Sequence, residues 1–99
     1  MAKVPSDTWF LYIVRCVDGT LYTGIARDVE ARMAAHDAGK GARYTRGRGP
    51  LTLCAVRRLR SKGAALSLEH AIKQLPRSAK EQLLEPGKLS RLRVSVRPR

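Results

Sequence analysis

The sequence predicts a small α+β domain with three strands and three helices. Two strand-like runs joined by Asp18-Gly19 open the chain, and a third apolar run covers residues 51–59. Helical apolar spacing is found over residues 29–38 and 64–75. The 99 residues, 43% of them hydrophobic, suffice for one core and are too apolar for a disordered chain.

The first two strands are predicted to form a hairpin. Residues 9–16 are rich in aromatic and β-branched side chains, Asp18-Gly19 is a strong turn signal, and residues 20–26 return. Gly24 inside the second strand indicates a bulge or the close approach of another group. Tyr12 and Tyr22 then lie on neighbouring antiparallel strands, within reach of each other.

The first helix is predicted over residues 29–38, with Asp28 as its N-cap and Gly39 at its end. Arg32 and His36 are four residues apart and share one helix face. The following segment, residues 39–50, has four glycines among its basic side chains, which is typical of a surface loop.

The third strand is expected over residues 51–59, largely covered on both faces because its apolar residues alternate only weakly. A second helix over residues 64–75 carries Leu68, Ile72 and Leu75 on one face and stops at Pro76.

The C-terminal part is predicted to contain one more short helix. Ser78-x-x-Glu81 has the spacing of a capping box, and Pro86-Gly87 would end the helix. Residues 88–99 carry five positive charges and no acid, and we expect a tail that is flexible or becomes a strand only on contact. The predicted organisation is an N-terminal extension (1–8), one domain (9–87) and this basic tail (88–99).

The two cysteines and the apolar runs indicate a cytoplasmic location. Cys16 and Cys54 lie in apolar surroundings without a CxxC pair, so we expect reduced core residues rather than a zinc site. No run approaches the length of a membrane span, and the segment after Met1 lacks the apolar stretch of a secretory signal. We therefore expect no membrane partner.

The charge is strongly positive and unevenly distributed. The formal net charge is +12, divided as −1 over residues 1–37, +8 over 38–68 and +5 over 69–99. This excludes an acidic or neutral binding module and favours a nucleic-acid partner, although a merely basic soluble protein is the plain alternative. The candidate nucleic-acid-binding residues are Arg27, Lys40, Arg43, Tyr44, Arg46 and Arg48.

A few side chains that could take part in catalysis follow one another at a distinctive spacing. Tyr12 is followed by Tyr22-Thr23-Gly24, by Arg32 eight residues after the glycine, and by Glu69 in a later helix. This set resembles the GIY-YIG nuclease domain, and residues 9–84 are similar to its small stand-alone bacterial members. The sequence departs from the motifs in reading Phe10-Leu11-Tyr12 and Tyr-Thr-Gly, and it has no Asn, a residue that many relatives carry late in the domain.

The resemblance implies a three-stranded antiparallel sheet flanked by helices and the hydrolysis of nucleic-acid phosphodiesters with one divalent metal. We expect DNA as the substrate and Mg²⁺ as the metal, with Mn²⁺ as the alternative. The resemblance also implies that Glu69 binds the metal and that Arg32 stabilises the phosphoryl charge. Tyr22 would be the general base or relay the proton, Tyr12 would orient water or phosphate, and His36 would assist. A domain without a recognition module favours selection by nucleic-acid structure over base sequence.

Tyrosine is a weak candidate for a base unless its pKa is lowered. A phenol with a pKa of about 10 is ionised to roughly one part in a thousand at pH 7. Tyr22 would need cationic neighbours, for which Arg27 and Arg32 are candidates, or the hydrated shell of a metal.

Each candidate residue also has a structural explanation. Paired strand tyrosines commonly lie in a half-buried sheet, Arg32 has Asp28 four residues before it, and Glu69 has Lys73 four residues after it. The rival function is therefore a non-catalytic DNA- or RNA-binding protein. A protein-interaction adaptor that uses residues 88–99 is a third hypothesis. DNA is favoured over RNA as the partner.

Overall fold

The described part of the chain, residues 8–37 and 50–92 of the computed structural model, forms a three-stranded antiparallel sheet with helices on both faces. This confirms the predicted α+β class. The elements in chain order are β1 (Trp9–Arg15), β2 (Leu21–Ala26), α1 (Val29–Asp37), β3 (Thr52–Leu59), α2 (Lys62–Lys73), α3 (Arg77–Gln82) and α4 (Lys88–Arg91).

Strand β1 is the centre of the sheet, in the order β2-β1-β3. Its four residues from Leu11 to Val14 are all buried, as expected of a strand that is paired on both edges and covered on both faces. In the antiparallel register Tyr12 lies opposite Gly24 of β2 and Val56 of β3. The central strand therefore places Tyr12 in the middle of the molecule.

Alternate residues of β1 enter two different cores. Leu11 and Ile13 pack with Leu68 and Ile72 of α2. The same core includes two leucines farther along the chain, Leu83 directly after α3 and Leu89 of α4. Tyr12 and its neighbour Val14 belong to a smaller core on the other face, which includes Val29 and Met33 of α1. This two-residue alternation places Tyr12 and Val14 on the face of the sheet opposite to Leu11 and Ile13.

The predicted hairpin turn is confirmed. Gly19 has a φ of 87°, a left-handed conformation that favours glycine. The side chain of Asp18 accepts hydrogen bonds from the backbone N–H of Thr20 at 3.1 Å and from its hydroxyl at 2.6 Å. Local turn chemistry thus sets the register of the two strands.

The expectation that β3 is covered on both faces is wrong. Leu53 is 43% exposed and Val56 41% exposed, because β3 lies at an edge of the sheet rather than at its centre. Cys54 is only partly buried, so the core prediction fails for it, whereas Cys16 is buried as expected.

Both long helices begin with side-chain caps, of which the one at Asp28 was predicted and the one at Ser61 was not. The Asp28 carboxylate accepts a hydrogen bond from the N–H of Ala31 at 3.0 Å, and the Ser61 hydroxyl accepts one from the N–H of Ala64 at 3.1 Å. Helix α2 therefore starts two residues earlier than predicted. Its Leu68 and Ile72 are buried, as the helical spacing indicates.

The capping box predicted at Ser78 and Glu81 is wrong. Helix α3 begins after Pro76, Ser78 lies inside it, and no side chain caps its N-terminus. The carboxylate of Glu81 instead accepts hydrogen bonds from Arg15 of β1 at 2.8 and 3.1 Å and from Arg77. A bidentate arginine contact is stronger than the reciprocal bond to an N-cap backbone N–H, and it ties α3 to the sheet.

The expected flexible tail is wrong for its first residues. Residues 88–91 form α4, and Leu89 is buried in the larger core. The guanidinium of Arg57 on β3 donates to the carbonyl oxygens of Leu89, at 3.3 Å, and Leu92. A cation at the end of α4 satisfies carbonyl groups that the helix leaves unpaired. Among the described residues, no helix is both long and apolar enough to cross a membrane.

Candidate active site

Three aromatic side chains meet on the face of the sheet that α1 covers. The ring centroids of Tyr12 and Tyr22 are 6.4 Å apart, and the ring of His36 lies 6.1 Å from Tyr12 and 5.8 Å from Tyr22. His36 approaches both rings edge-on, a favourable aromatic geometry. Two strands and one helix thus bring together three of the five predicted catalytic residues.

The strand register explains how the two tyrosines meet. Tyr12 lies opposite Gly24, and Tyr22, two residues before Gly24, faces Val14. A Cβ atom on residue 24 would lie 2.5 Å from the Tyr12 hydroxyl and 2.7 Å from its Cζ. The missing side chain of Gly24 therefore provides the space for the Tyr12 phenol, which confirms the close approach predicted at this glycine.

Tyr12 is the inner member of the pair. It is 1% exposed, and its hydroxyl lies 3.1 Å from Nε2 of His36, within hydrogen-bond distance. Burial raises the pKa of Tyr12 above its usual value of 10, although a hydrogen bond from Arg32 lowers it in part. Tyr12 is therefore a neutral phenol at pH 7.

Tyr22 is the outer member and is partly exposed. Burial also raises its pKa; the positive charge of Arg32 opposes the rise and the negative charge of Glu69 adds to it. Arg32 is thus one of the cationic neighbours that Tyr22 would need, but in the protein alone partial removal from water outweighs its effect and the pKa of Tyr22 stays raised.

His36 is buried, at 3% exposure, in the last turn of α1. Burial lowers the pKa of its imidazole below 6.5, and the nearby charge of Arg32 lowers it further. His36 is therefore neutral at pH 7, so one of its two ring nitrogens carries no proton.

Arg32 lies one helical turn before His36 and influences all three rings, since it alters the pKa values of Tyr12, Tyr22 and His36. Its Nε is buried and has no hydrogen-bond partner among the described residues. The carboxylate of Asp28, the alternative partner suggested by the spacing, caps α1 at Ala31. A buried donor without a partner is costly, which makes Arg32 suited to receive an anionic ligand.

Glu69 of α2 is connected to the site through Lys73, whose ammonium pairs with Glu69 and lies 5.7 Å from the ring centroid of Tyr22. The negative charge of Glu69 raises the pKa values of both Tyr12 and Tyr22, and its side chain is only 19% exposed. Glu69 forms an ion pair with Lys73 at 3.3 Å, as the four-residue spacing suggested. The charges of Arg32 and Glu69 therefore both act on the phenol groups of Tyr12 and Tyr22.

The metal-binding side chains at the site fit a hydrated metal ion that needs few protein ligands. The described residues include no group of three or more His, Cys, Asp or Glu side chains that could hold a metal. Mg²⁺ retains several waters and is commonly bound through one or two carboxylates, so Glu69 alone is compatible with it. A four-ligand structural zinc site does not fit this donor set.

Two functional candidates were missed in the sequence. Lys73 and Lys80 line a cleft of about 360 Å³ with Leu21, Tyr22 and Thr23. The signal for Lys73 was its spacing from Glu69, but this spacing was interpreted only as a local ion pair. Nothing local in the sequence relates Lys80 of α3 to Tyr22 of β2.

The predicted nucleic-acid-binding residues are only partly within the described structure. Arg27 is exposed and lines a cleft with Arg32, Trp9 and Asp28, so it lies near the site on the α1 side rather than beside Tyr22 as expected. Outside the described residues lie Lys40, Arg43, Tyr44, Arg46 and Arg48.

Comparison with known proteins gives a family match over most of the chain. The model of the GIY-YIG catalytic domain matches residues 8–82. A UPF0213 protein of Aeromonas hydrophila is 49% identical over 84 residues, which are 85% of this chain and 62% of that protein. A UPF0213 protein of Natronomonas pharaonis is 52% identical over 75 residues, 76% of this chain and 88% of that protein.

Two solved structures share the fold. The solution NMR structure of a UPF0213 protein from Bacillus halodurans is 44% identical, covers 82% of this chain and 90% of its own, and superposes with a TM-score of 0.53. The solution NMR structure of a protein from E. faecalis is 29% identical, covers 92% of this chain and 97% of its own, and gives a TM-score of 0.60.

Proposed function

Because the chain belongs to the GIY-YIG catalytic domain family, we propose that it is a metal-dependent endonuclease that hydrolyses DNA phosphodiester bonds. The observation that carries the proposal is the convergence of Tyr12, Tyr22 and His36 with the guanidinium of Arg32 and the carboxylate of Glu69. Separate strands and helices supply these groups. Together they offer what hydrolysis of a phosphodiester needs: a cation for the phosphate, a proton acceptor for the water and a carboxylate for a metal ion.

Arg32 is proposed to bind the phosphoryl oxygens. Its Nε is buried without a partner among the described residues, and charge-assisted hydrogen bonds to phosphate are strong. Donors that are fixed before the reaction stabilise the charge that develops in the transition state at little reorganisation cost. The geometry thus supports a role for Arg32 in the chemical step.

Tyr22 is proposed to be the general base, with Tyr12 and His36 supporting it from behind. Tyr22 is the more exposed phenol and is placed to take the proton of an attacking water, whereas Tyr12 contacts neutral His36 behind it. Neutral His36 can accept a hydrogen bond from the Tyr12 hydroxyl, which would hold the Tyr12 phenol in position behind Tyr22. The raised pKa of Tyr22 means that the protein without a bound cation leaves this base protonated.

Glu69 is the proposed metal ligand. A bound divalent cation would supply Lewis-acid stabilisation of the phosphate and favour ionisation of nearby oxygen groups. Mg²⁺ is the proposed ion and Mn²⁺ the alternative, since both accept carboxylate and water oxygens.

The proposed substrate is DNA of a particular structure, such as nicked or flapped duplexes. The net charge of +12 favours sequence-independent phosphate contacts, and base readout requires an element that enters a groove. The chain is thus expected to discriminate by the shape of its substrate.

The test is cleavage of nicked, flapped and single-stranded DNA with Mg²⁺ or Mn²⁺. Glu69→Ala and Arg32→Ala should abolish cleavage while DNA binding persists, and Glu85→Ala, which removes a carboxylate from an exposed position after α3, should cleave like wild type. If the wild-type protein cuts none of these substrates with either metal, the nuclease proposal is wrong.

The rival proposal is a non-catalytic DNA- or RNA-binding protein. One specific observation favours it: Tyr12 is packed in an apolar core with Val14 and Ala26, as a purely structural tyrosine would be. In that case Glu69→Ala would leave binding unchanged and there would be no cleavage to lose. The same set of substrates and variants therefore separates the two proposals.

A further inference from the structure

The cleft beside Tyr22 contains two lysines for which the proposed reaction has no role. Lys73 comes from α2 and Lys80 from α3, and the other residues that line the cleft are Leu21, Tyr22 and Thr23. This set has two ammonium groups and no carboxylate. A cleft of this charge, with a volume of about 360 Å³, suits a phosphate group better than a cationic or apolar ligand.

Lys73 is also engaged with the proposed metal ligand. Its Nζ lies 3.3 Å from Oε2 of Glu69 and 5.7 Å from the ring centroid of Tyr22. The ammonium is thus a cation already present at the carboxylate that would hold the divalent ion. Two cations at one carboxylate repel each other, so binding of the ion opposes the Lys73–Glu69 pair.

The Lys73–Glu69 pair is easily exchanged. The lysine side chain is 47% exposed, and an exposed ion pair at this helical spacing changes an equilibrium constant by only about two-fold. The long stem of Lys73 has four rotatable bonds, which allow the ammonium to move into the cleft that it already lines. No rearrangement of the backbone is required.

We propose that Lys73 exchanges partners: it pairs with Glu69 in the metal-free protein and, when a divalent cation takes that carboxylate, joins Lys80 in binding a phosphate of the nucleic-acid strand beside Tyr22. This inference rests on the proposed metal role of Glu69. It places the strand on both sides of Tyr22, with Arg32 at the phosphate that reacts and the two lysines at a neighbouring one.

The exchange makes metal and strand binding cooperative. The cation frees Lys73 for the strand, and by linkage a strand that holds Lys73 tightens the binding of the cation. Lys80 has no hydrogen bond or ion pair with Glu69 among the described contacts, so it serves as the matched control within the same cleft.

The first measurement is Mn²⁺ binding to the intact protein without nucleic acid, by isothermal titration calorimetry. Lys73→Met should bind Mn²⁺ about two-fold more tightly than wild type, because it removes the competing ion pair. Lys80→Met should change the affinity less, and Glu69→Gln should abolish the specific binding.

The second measurement is binding of a fluorescent single-stranded 20-mer DNA as a function of salt, with and without Ca²⁺. With Ca²⁺, Lys73→Met and Lys80→Met should each reduce the slope of log affinity against log salt by about 0.7, the value for one phosphate contact. Without a divalent ion only Lys80→Met should do so. In a Glu69→Gln background, Lys73→Met should reduce the slope even without Ca²⁺, because Lys73 is then released.

Each contrary result has its own meaning. If Mn²⁺ binds and Glu69→Gln abolishes the binding, but Lys73→Met is no tighter than Lys80→Met, the exchange is wrong and the metal role of Glu69 stands. If neither wild type nor Lys73→Met binds Mn²⁺, the exchange and the metal role of Glu69 are both wrong. Inorganic phosphate that displaces the 20-mer at equal phosphate concentration would overturn the assignment of the cleft to a strand.

Discussion

The Tyr12 hydroxyl occupies the space that a Cβ atom of residue 24 would need, with only 2.5 Å between them. The two residues face each other across the β1 and β2 strands. This relationship lets the Tyr12 phenol extend over β2 to His36 and approach Tyr22. The glycine is therefore required by the position of Tyr12 rather than by its own backbone conformation.

Gly24→Ala is expected to destabilise the protein by about 1–3 kcal/mol, the usual cost of overpacking a buried site, and to abolish cleavage by displacing Tyr12. Urea unfolding and the cleavage assay measure the two effects. The control is Gly63→Ala in α2, where a Cβ meets nothing closer than 3.9 Å. Equal stability of the two variants would contradict the packing argument.

The free energy of unfolding is expected to fall as the pH drops below about 6.5, because the folded protein disfavours protonation of His36. The pKa of His36 is lowered from 6.5 on folding, so the unfolded chain binds more protons below that pH and the stabilising effect is lost. Urea unfolding between pH 5 and 8 should show this dependence reduced in His36→Gln. His70→Gln, a change at an exposed histidine, should keep it.

Cleavage, where it occurs, is expected to become faster with rising pH above neutrality, and Tyr22→Phe should remove that rise. The physical reason is that burial keeps the Tyr22 phenol protonated at pH 7, so ionisation increases throughout the alkaline range. Rates with saturating Mg²⁺ from pH 7 to 10 provide the measurement. A Tyr22→Phe variant with the wild-type profile would exclude Tyr22 as the base.

Glu81→Gln is expected to lower the melting temperature at pH 7 and to have little effect near pH 2. Arg15 and Arg77 hold the pKa of this carboxyl at about 2, below its usual 4.5. The stabilising effect of Glu81 is therefore present above pH 4.5 and is lost as the pH falls towards 2. Thermal unfolding over this range, with Glu85→Gln as the control, measures the difference.

Replacing Arg43, Arg46 and Arg48 together is expected to reduce the slope of log DNA affinity against log salt by about 2–3, close to one phosphate contact for each arginine. Fluorescence anisotropy with duplex DNA at several salt concentrations provides the slope. A slope equal to that of wild type would mean that residues 39–50 do not contact the strand.

Features that depend on neighbouring residues could be predicted from the sequence. The turn at Asp18-Gly19 follows from the left-handed conformation that glycine adopts readily, and the cap at Asp28 from its side-chain oxygen. The helical spacing of Leu68 and Ile72 predicted the buried face of α2. These effects act within a few residues, so the sequence alone contains the information.

Only the tertiary structure decided how residues far apart in the sequence pair with each other and how exposed each of them is to solvent. Glu81 pairs with Arg15 instead of capping α3, Leu89 enters the core, and β3 lies exposed at the sheet edge. The sequence also indicated that Tyr12, Tyr22 and Glu69 belong to one site, but not that burial would raise the pKa values of both phenols. Burial and charge at a side chain depend on elements far along the chain, and local patterns do not contain them.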